Sequence, residues 1–419
     1  MERKLGRRWA KWGRGKWRRW RPWKRWRLGF WGAGVEEGRA GRAGFSWAKE
    51  ALYLSGDAYY EEMLLEMGRA RWSVDMEVYT FEDGVLAERV CACFAGLVRR
   101  GVRVRLICDH WGSPGIGGGL LGRLEAAGVR VHLYRGLPWS AVALRSVGGG
   151  GRIGLWWRAF WERIRNVNRG FHRKVTVMDG RVAWVGSMNV TDAHLREVRG
   201  EEAWADVGVR VEGKEVSVFS EAFERAFYRR RKPRSGALAR RVPVFFNDSF
   251  WLRRRMNAQL KRRIQRARKR IWIQNPYFLP ERGLLRALCR SARRGVDVRI
   301  VVPEKNDLFV IRWMNFGLMA KLMKSGARLY EYRETFAHKK VLIVDDEYSV
   351  GSTNLNHRSF LHDLEVEVLL TREETRRALE ASFLADQAVS RLIRPREMRE
   401  KPWWYLMVNR ILFFFRYWC

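Results

Sequence analysis

The sequence predicts an α/β protein built as two tandem copies of one unit, and three observations carry that prediction. The pattern H-x-K-x-x-x-x-D occurs twice, from His172 through Lys174 to Asp179 and from His338 through Lys340 to Asp345. Each copy passes through a turn into a second apolar stretch that closes in a small-residue loop, Gly186-Ser187-Met188-Asn189 and Gly351-Ser352-Thr353-Asn354. Upstream of each copy, β-type apolar runs alternate with helical stretches in the same order, which implies a sheet with helices on its faces. The two histidines stand 166 positions apart and the two loop asparagines 165, so the constraints recur nearly in register.

Residues 1–31 are unlike the rest. Trp9, Trp12, Trp17, Trp20, Trp23, Trp26 and Trp31 are set among thirteen Arg and Lys residues, with Glu2 the only acid. Gly13, Gly15 and Pro22 interrupt any single helix. Trp with Arg suits the interface of an anionic bilayer; a solvated basic tail and non-specific nucleic-acid binding are the alternatives. Gly32 to Gly44 is a Gly/Ala-rich linker.

The first unit begins near Phe45. Tyr59 to Gly68 reads as an amphipathic helix, and Trp72 to Tyr79 as a strand with residual alternation. A loop over Phe81 to Gly84 leads to a helix over Val85 to Arg99, a strand over Val102 to Cys108, a helix ending at Ala127 and a strand over Val129 to Tyr134. The second unit answers in order. Ile271 to Gln274 matches the first strand. The run from Arg294 to Ile300 matches Arg100 to Leu106 at an offset of 194, and Gly326 to Tyr330 matches the run from Gly128 at 198. The offset then falls to 166, so the first unit carries 32 extra residues between Tyr134 and His172. They include Gly148 to Gly151 and then Trp156, Trp157, Phe160, Trp161 and Ile164 among Arg158, Arg163 and Arg165. This amphipathic segment either dips into the headgroup layer at the mouth of the site or packs its apolar face on the domain. Arg229 to Arg241, with Pro233 and Gly236, marks the boundary between units. The aromatic stretch Pro402 to Cys419 is too short and too charged to span a bilayer and reads as an interfacial anchor, with a helix packed on the protein as the alternative.

Val175 to Met178 and Val341 to Val344 are β-branched apolar runs that read as buried strands. Residues at i and i+2 share a face of a strand, so His172 and Lys174 point one way, as do His338 and Lys340. The Gly-Ser-x-Asn loops offer N–H groups, a hydroxyl and an amide to phosphate oxygens. Two imidazoles, two ammoniums and two such loops describe a phosphodiester site, one histidine attacking phosphorus while the other protonates the leaving oxygen.

The chain has 419 residues, 82 basic and 45 acidic, for a net charge of +37. That charge requires an anionic partner, either nucleic acid or a membrane rich in acidic lipid. Cys91, Cys93, Cys108, Cys289 and Cys419 have no metal-like spacing and read as reduced. No stretch approaches the ~18 apolar residues of a spanning helix, and the N-terminus lacks the apolar core of a signal peptide.

The duplicated motif resembles the signature of the phospholipase D superfamily, and within it the chain is similar to the bacterial cardiolipin synthases over residues 45–400. The synthase-like segments are Asn275-Pro276-Tyr277-Phe278-Leu279-Pro280, the loop from Asp109 to Ser113, and the run from Gly351 to Phe360. Asp363 stands where synthases commonly have Asn. The resemblance implies two tandem phospholipase D-like α-β-α sandwich domains about a pseudo-two-fold axis, with both motifs at one site. It divides the chain into a basic segment and linker (1–44), a first domain (45–230), a basic linker (231–245), a second domain (246–400) and an aromatic C-terminal segment (401–419). It makes His172 the nucleophile of a phosphohistidine intermediate and His338 the acid, later the base. Lys174 and Lys340 would hold the non-bridging oxygens with Asn189 and Asn354, beside Ser187 and Ser352. Asp206 and Glu365 would each hydrogen-bond a histidine, and Asp179 and Asp345 complete the motif as braces. The implied reaction makes cardiolipin and glycerol from two phosphatidylglycerols, with no metal or cofactor; the alternatives are a hydrolytic phospholipase D and a nuclease. The implied setting is the cytoplasmic face of a bacterial membrane, held peripherally, with phospholipid and no specific nucleic acid as partner, and with both motifs active in a monomer.

Overall fold

The computed structural model describes residues 46–117, 119–135, 169–228, 242–307, 309–399, 407–409 and 412. The Trp-rich segment 1–31, the linker 32–44, the aromatic run of the insertion, the 229–241 boundary and almost all of the 402–419 stretch lie outside those residues.

The first half runs β1 (Lys49–Tyr53), α1 (Gly56–Gly68), β2 (Ser73–Val78), α2 (Val85–Arg99), β3 (Arg103–Asp109), α3 (Leu120–Ala126), β4 (Arg130–Tyr134), β5 (Val175–Met178), β6 (Val182–Gly186), β7 (Gly208–Glu212) and α4 (Ser217–Phe227). The second runs β8 (Val244–Phe246), α5 (Phe250–Arg266), β9 (Arg270–Gln274), α6 (Arg282–Arg293), β10 (Asp297–Pro303), α7 (Phe309–Lys324), β11 (Arg328–Tyr332), β12 (Val341–Val344), β13 (Glu347–Gly351), β14 (Val366–Leu369), α8 (Glu373–Ala388) and β15 (Arg391–Leu392). Each half forms one mixed sheet, in the orders β1-β7-β6-β5-β2-β3-β4 and β15-β11-β10-β9-β12-β13-β14-β8. In both, three parallel strands (β2, β3, β4; β9, β10, β11) meet an antiparallel set at a central motif strand, β5 or β12.

The two-residue period of the motif strands explains the layering. Val175 and Val177, like Val341 and Ile343, face a core shared by both sheets. Met178 faces a core with α1, α2 and α3, and Leu342 and Val344 face one with α5, α6 and α7. Each sheet therefore carries helices on its outer face and meets its sister on the other, where α4 (Phe219, Ala222) and α8 (Leu379, Phe383) also pack into the shared core. β2 obeys the same period but not as a solvated strand: its alternation puts Val74, Met76 and Val78 in the helix-facing core, while Asp75 and Glu77 are buried on the opposite face. Asp75 takes two hydrogen bonds from the buried Arg105 at 2.7 and 2.8 Å, and Glu77 lies 3.7 Å from the buried Arg173. Charge pairing, not solvent, accommodates the polar residues.

Asp179 and Asp345 end the motif strands with left-handed backbone, φ +53° and +52°. Asp179 accepts backbone N–H groups of Arg71, Trp72 and Ser73 at 2.7–2.9 Å, and Asp345 those of Arg268, Lys269 and Arg270 at 2.8–3.1 Å. Each carboxylate thus closes the start of the neighbouring parallel strand. At about 3.3 Å per residue, each lies some 16 Å along the chain from the lysine of its motif. Asp345→Ala loses three acceptor contacts and places an alanine at positive φ, which is expected to cost about 2–4 kcal/mol of stability and to leave the KM of the folded enzyme nearly unchanged. Denaturant unfolding checks this; full stability with lost turnover would move Asp345 into the chemistry.

Candidate active site

Both motifs begin on the short segments just ahead of the motif strands β5 and β12, outside the strands themselves, and each of these segments is held by the other half. The N–H of His172 donates to the carbonyl of Leu364 (3.0 Å), and the N–H of Leu364 to Gly170 (2.8 Å). The N–H of His338 likewise donates to Ala205 (2.8 Å), and that of Ala205 to Phe336 (3.0 Å). These two short parallel bridges cross the carboxylates over. Glu365 of the second half lies 3.1 Å from Nδ1 of His172, and Asp206 of the first half lies 2.9 Å from Nδ1 of His338.

The loop glycines make the crossing possible. A Cβ on Gly186 would sit 2.5 Å from the carbonyl oxygen of Val207, and one on Gly351 would collide with that of Val366. The strand following each acid passes directly over the glycine. The next residue can then bond the acid: Ser187 donates to Asp206, and Ser352 to Glu365. Glu365 is further held by Ser359 Oγ (2.6 Å), and its N–H donates to Asn247 (2.6 Å). At the matching position of the first half stands His194, whose Nδ1 is 3.0 Å from Asp206 and whose Nε2 accepts the N–H of Asn189 (3.0 Å). Asp206 therefore serves two imidazoles.

The surroundings decide the tautomers. Nδ1 of His172 faces a carboxylate and, at 3.1 Å, the carbonyl of Ser352, which can only accept. It must carry the proton, leaving Nε2 with a bare lone pair. His338 has its Nδ1 proton on Asp206, and its Nε2 accepts from Lys340 Nζ at 2.8 Å. The ammoniums of Lys174 and Lys340 also bond the carbonyls of their own motif histidines, at 2.8 and 3.0 Å. Asn189 turns its Oδ1 to the N–H of Thr80 (3.2 Å), whereas the buried Oδ1 of Asn354 has no hydrogen-bond partner among the described residues.

Four cationic or basic groups are crowded here in low dielectric. Burial, then the two lysines, holds His172 well below the usual histidine range. Burial and Lys340 take His338 down to about 3, against the pull of Asp206. Burial, then repulsion from Lys340, holds Lys174 well below its ordinary value, and burial takes Lys340 down to about 8. The two acids diverge: burial raises Glu365 to about 7, while for Asp206 the facing His338 and His194 outweigh burial and hold it well below the carboxylate range. An anion placed between the lysines would relieve the repulsion, so the site is electrostatically built for one.

Aromatic rings surround the two histidines. Tyr79 lies 5.0 Å from His172 and under Lys174, and Trp204, Phe336 and Tyr277 ring His338 at 5.3, 5.6 and 6.4 Å. Two further carboxylates fix the entry to His172. Asp109, paired with Arg135, accepts the N–H of Phe171 (2.8 Å), and Asp363, 3.0 Å from Arg358, accepts that of Gly170 (2.9 Å). Asp363 is thus charge-paired. Sequence reasoning had not assigned Tyr79, Asn247, His194, Ser359 or Arg358 to the site. One signal was available: His194 and Ser359 are separated by 165 positions, as are the loop asparagines.

The family model described as cardiolipin synthase, PLD-like domain, matches residues 63–227 and 260–387. The chain belongs to this family. The family match falls once in each half of the fold. The chain is 26% identical over 402 residues to cardiolipin synthase A of Pectobacterium atrosepticum, covering 90% of this chain and 77% of that one. It is 28% identical over 355 residues to a Bacillus subtilis protein named probable cardiolipin synthase YwiE, covering 81% and 66%. Among solved structures, a phosphatidylserine synthase of Haemophilus influenzae superposes with a TM-score of 0.59 at 12% identity over 88% of this chain and 92% of that one. That likeness establishes the fold: two tandem phospholipase D-like α/β domains. As a member of the cardiolipin synthase family, the chain contains no helix, among the described residues, long and apolar enough to cross a membrane.

Proposed function

We propose that the chain is a phosphatidyltransferase that makes cardiolipin and glycerol from two phosphatidylglycerols, at the membrane surface and with one site per chain. The observation that carries the reading is the crossed pair: two imidazoles on carboxylates from opposite halves, each with a lysine, close enough to act on one another's charge. Membership in the cardiolipin synthase family supports lipid substrates and membrane association.

Nε2 of His172 attacks phosphorus, and the P–O bond to the leaving glycerol breaks. His338, protonated on Nε2 once the phosphate draws Lys340 away and raises the imidazole's proton affinity, gives that proton to the leaving oxygen. Neutral His338 then takes the proton of a second lipid's hydroxyl. The resulting alkoxide attacks phosphorus, and the N–P bond to His172 breaks. Lys174, Lys340 and Asn354 hold the non-bridging oxygens, with Asn189 closing the first-half loop. Aromatic walls limit water, favouring a lipid alcohol as acceptor.

Phosphatidylglycerol vesicles should yield cardiolipin and free glycerol, identified by mass, while duplex DNA stays intact. A protein of charge +37 binds DNA at low salt through counterion release, so turnover and not binding is the test. DNA cleaved in a His172-dependent way, with lipid untouched, would make the chain a nuclease; phosphatidic acid as the sole lipid product would make it a hydrolase.

Two further outcomes follow. Asp206→Asn places an N–H donor against an imidazole that donates from Nδ1, so turnover should fall about 1,000-fold, by analogy with carboxylate–histidine pairs generally, while the fold is retained; wild-type rates in the folded variant would remove Asp206 from the acid's support. With Lys340 held at about 8, the free enzyme loses that positive charge as pH rises through 8. Therefore kcat/KM for lipid should decline above pH 8, and a profile flat to pH 10 would show that Lys340 stays charged.

A further inference from the structure

Helix α5 carries an apolar stripe, Met256, Leu260 and Ile264, that packs it on the second sheet. Ser249 caps its start, the Oγ accepting the N–H of Leu252 at 3.2 Å, which fixes Phe250 and Trp251 in the first turn. Both rings point to solvent, 60% and 74% exposed, and pack on each other at 5.5 Å. Along the outer side follow Arg254, Arg255, Arg262 and Arg266, all exposed, and the helix contains no Asp or Glu. Arg254 stacks on the Phe250 ring at 5.5 Å. Arg253, on the inner side, donates to the carbonyl of Leu361 (2.8 Å), whose side chain is also exposed. Leu364, three residues on, is the residue that holds the backbone of His172, a span of about 10 Å of chain. An aromatic and aliphatic patch with a cationic stripe therefore stands beside the candidate site.

We propose that this face of α5, with Leu361, is the surface that docks on an anionic bilayer and presents the site to its lipid. The chemistry is that of an interfacial helix: Phe250, Trp251 and Leu361 enter at headgroup depth while the arginines meet lipid phosphates. The absence of acid in the helix makes its charge complementary to acidic lipid. Exposed apolar side chains clustered at one end favour a bilayer over a nucleic acid, whose backbone offers them nothing to bury against. The inference rests on the lipid reading of the site and names the surface that serves it.

The full chain is probed by hydroxyl-radical footprinting, read by mass, alone and with vesicles of phosphatidylcholine, with or without phosphatidylglycerol. Modification of Phe250, Trp251 and Leu361 should fall about threefold or more with the acidic vesicles and stay unchanged with phosphatidylcholine alone. Phe250→Ala/Trp251→Ala should weaken partition onto acidic vesicles about tenfold and leave turnover of detergent-dispersed lipid unaltered. Vesicles that bind the chain without protecting these residues, or that do not bind it, would overturn the proposal. Protection by duplex DNA in place of vesicles would assign the face to nucleic acid. Protection by vesicles from a chain that turns over no lipid in detergent would keep the surface and remove the phosphatidyltransferase reading.

Discussion

His172→Ala is expected to abolish turnover, by at least about 10,000-fold, because a two-step transfer through an enzyme-bound phosphoryl group has no route around its first step. The tautomer singles this histidine out. With Nδ1 committed to the Ser352 carbonyl and Glu365, Nε2 offers an unshared pair, and burial keeps the ring neutral. At His338 the same atom accepts a hydrogen bond from Lys340, which blunts it as a nucleophile. Acid quenching is unsuitable because phosphohistidine is acid-labile, so lipid labelled in its phosphate should be mixed with enzyme and denatured at alkaline pH. Label should stay on wild-type protein and be missing from the variant. Label recovered on His338 in the His172→Ala protein would exchange the two roles.

The halves of the site were unequally legible in the sequence. His172, Lys174 and their partners at 338 and 340 declare themselves by repetition, and the strands Val175–Met178 and Val341–Val344 coincide with the β-branched runs. The crossing of Asp206 and Glu365 did not, because it depends on pairing Phe171 with Leu364 and Ala205 with Ala337, contacts that no local pattern encodes. Helix α5 was hidden for a different reason. Its apolar stripe is three residues wide along seventeen, so the 3.6-residue period is submerged in arginine. Strand β1, with one exposed and four half-buried residues, has no clean alternation to read. The burial of Asp75 and Glu77 likewise depends on Arg105 and Arg173 arriving from other segments.

His338→Ala separates protonation from attack. The glycerol of phosphatidylglycerol is a poor alkoxide leaving group, so removing the acid should slow turnover by about 100- to 10,000-fold. A diester whose leaving group is a phenol of low pKa needs no proton, and its first step should recover most of the loss. The second step still lacks the base that activates the acceptor alcohol, so phosphoryl enzyme should accumulate on His172 and turn over slowly. Asp206 gives the same logic a graded form: it holds His338 from the opposite half while also receiving His194. His194→Gln should therefore shift the acidic limb of the pH profile for the alkoxide substrate and leave the phenol substrate's profile in place. If His338→Ala slowed both substrates equally, His338 would have to act on phosphorus binding or attack, and the division of labour between the two imidazoles would be wrong.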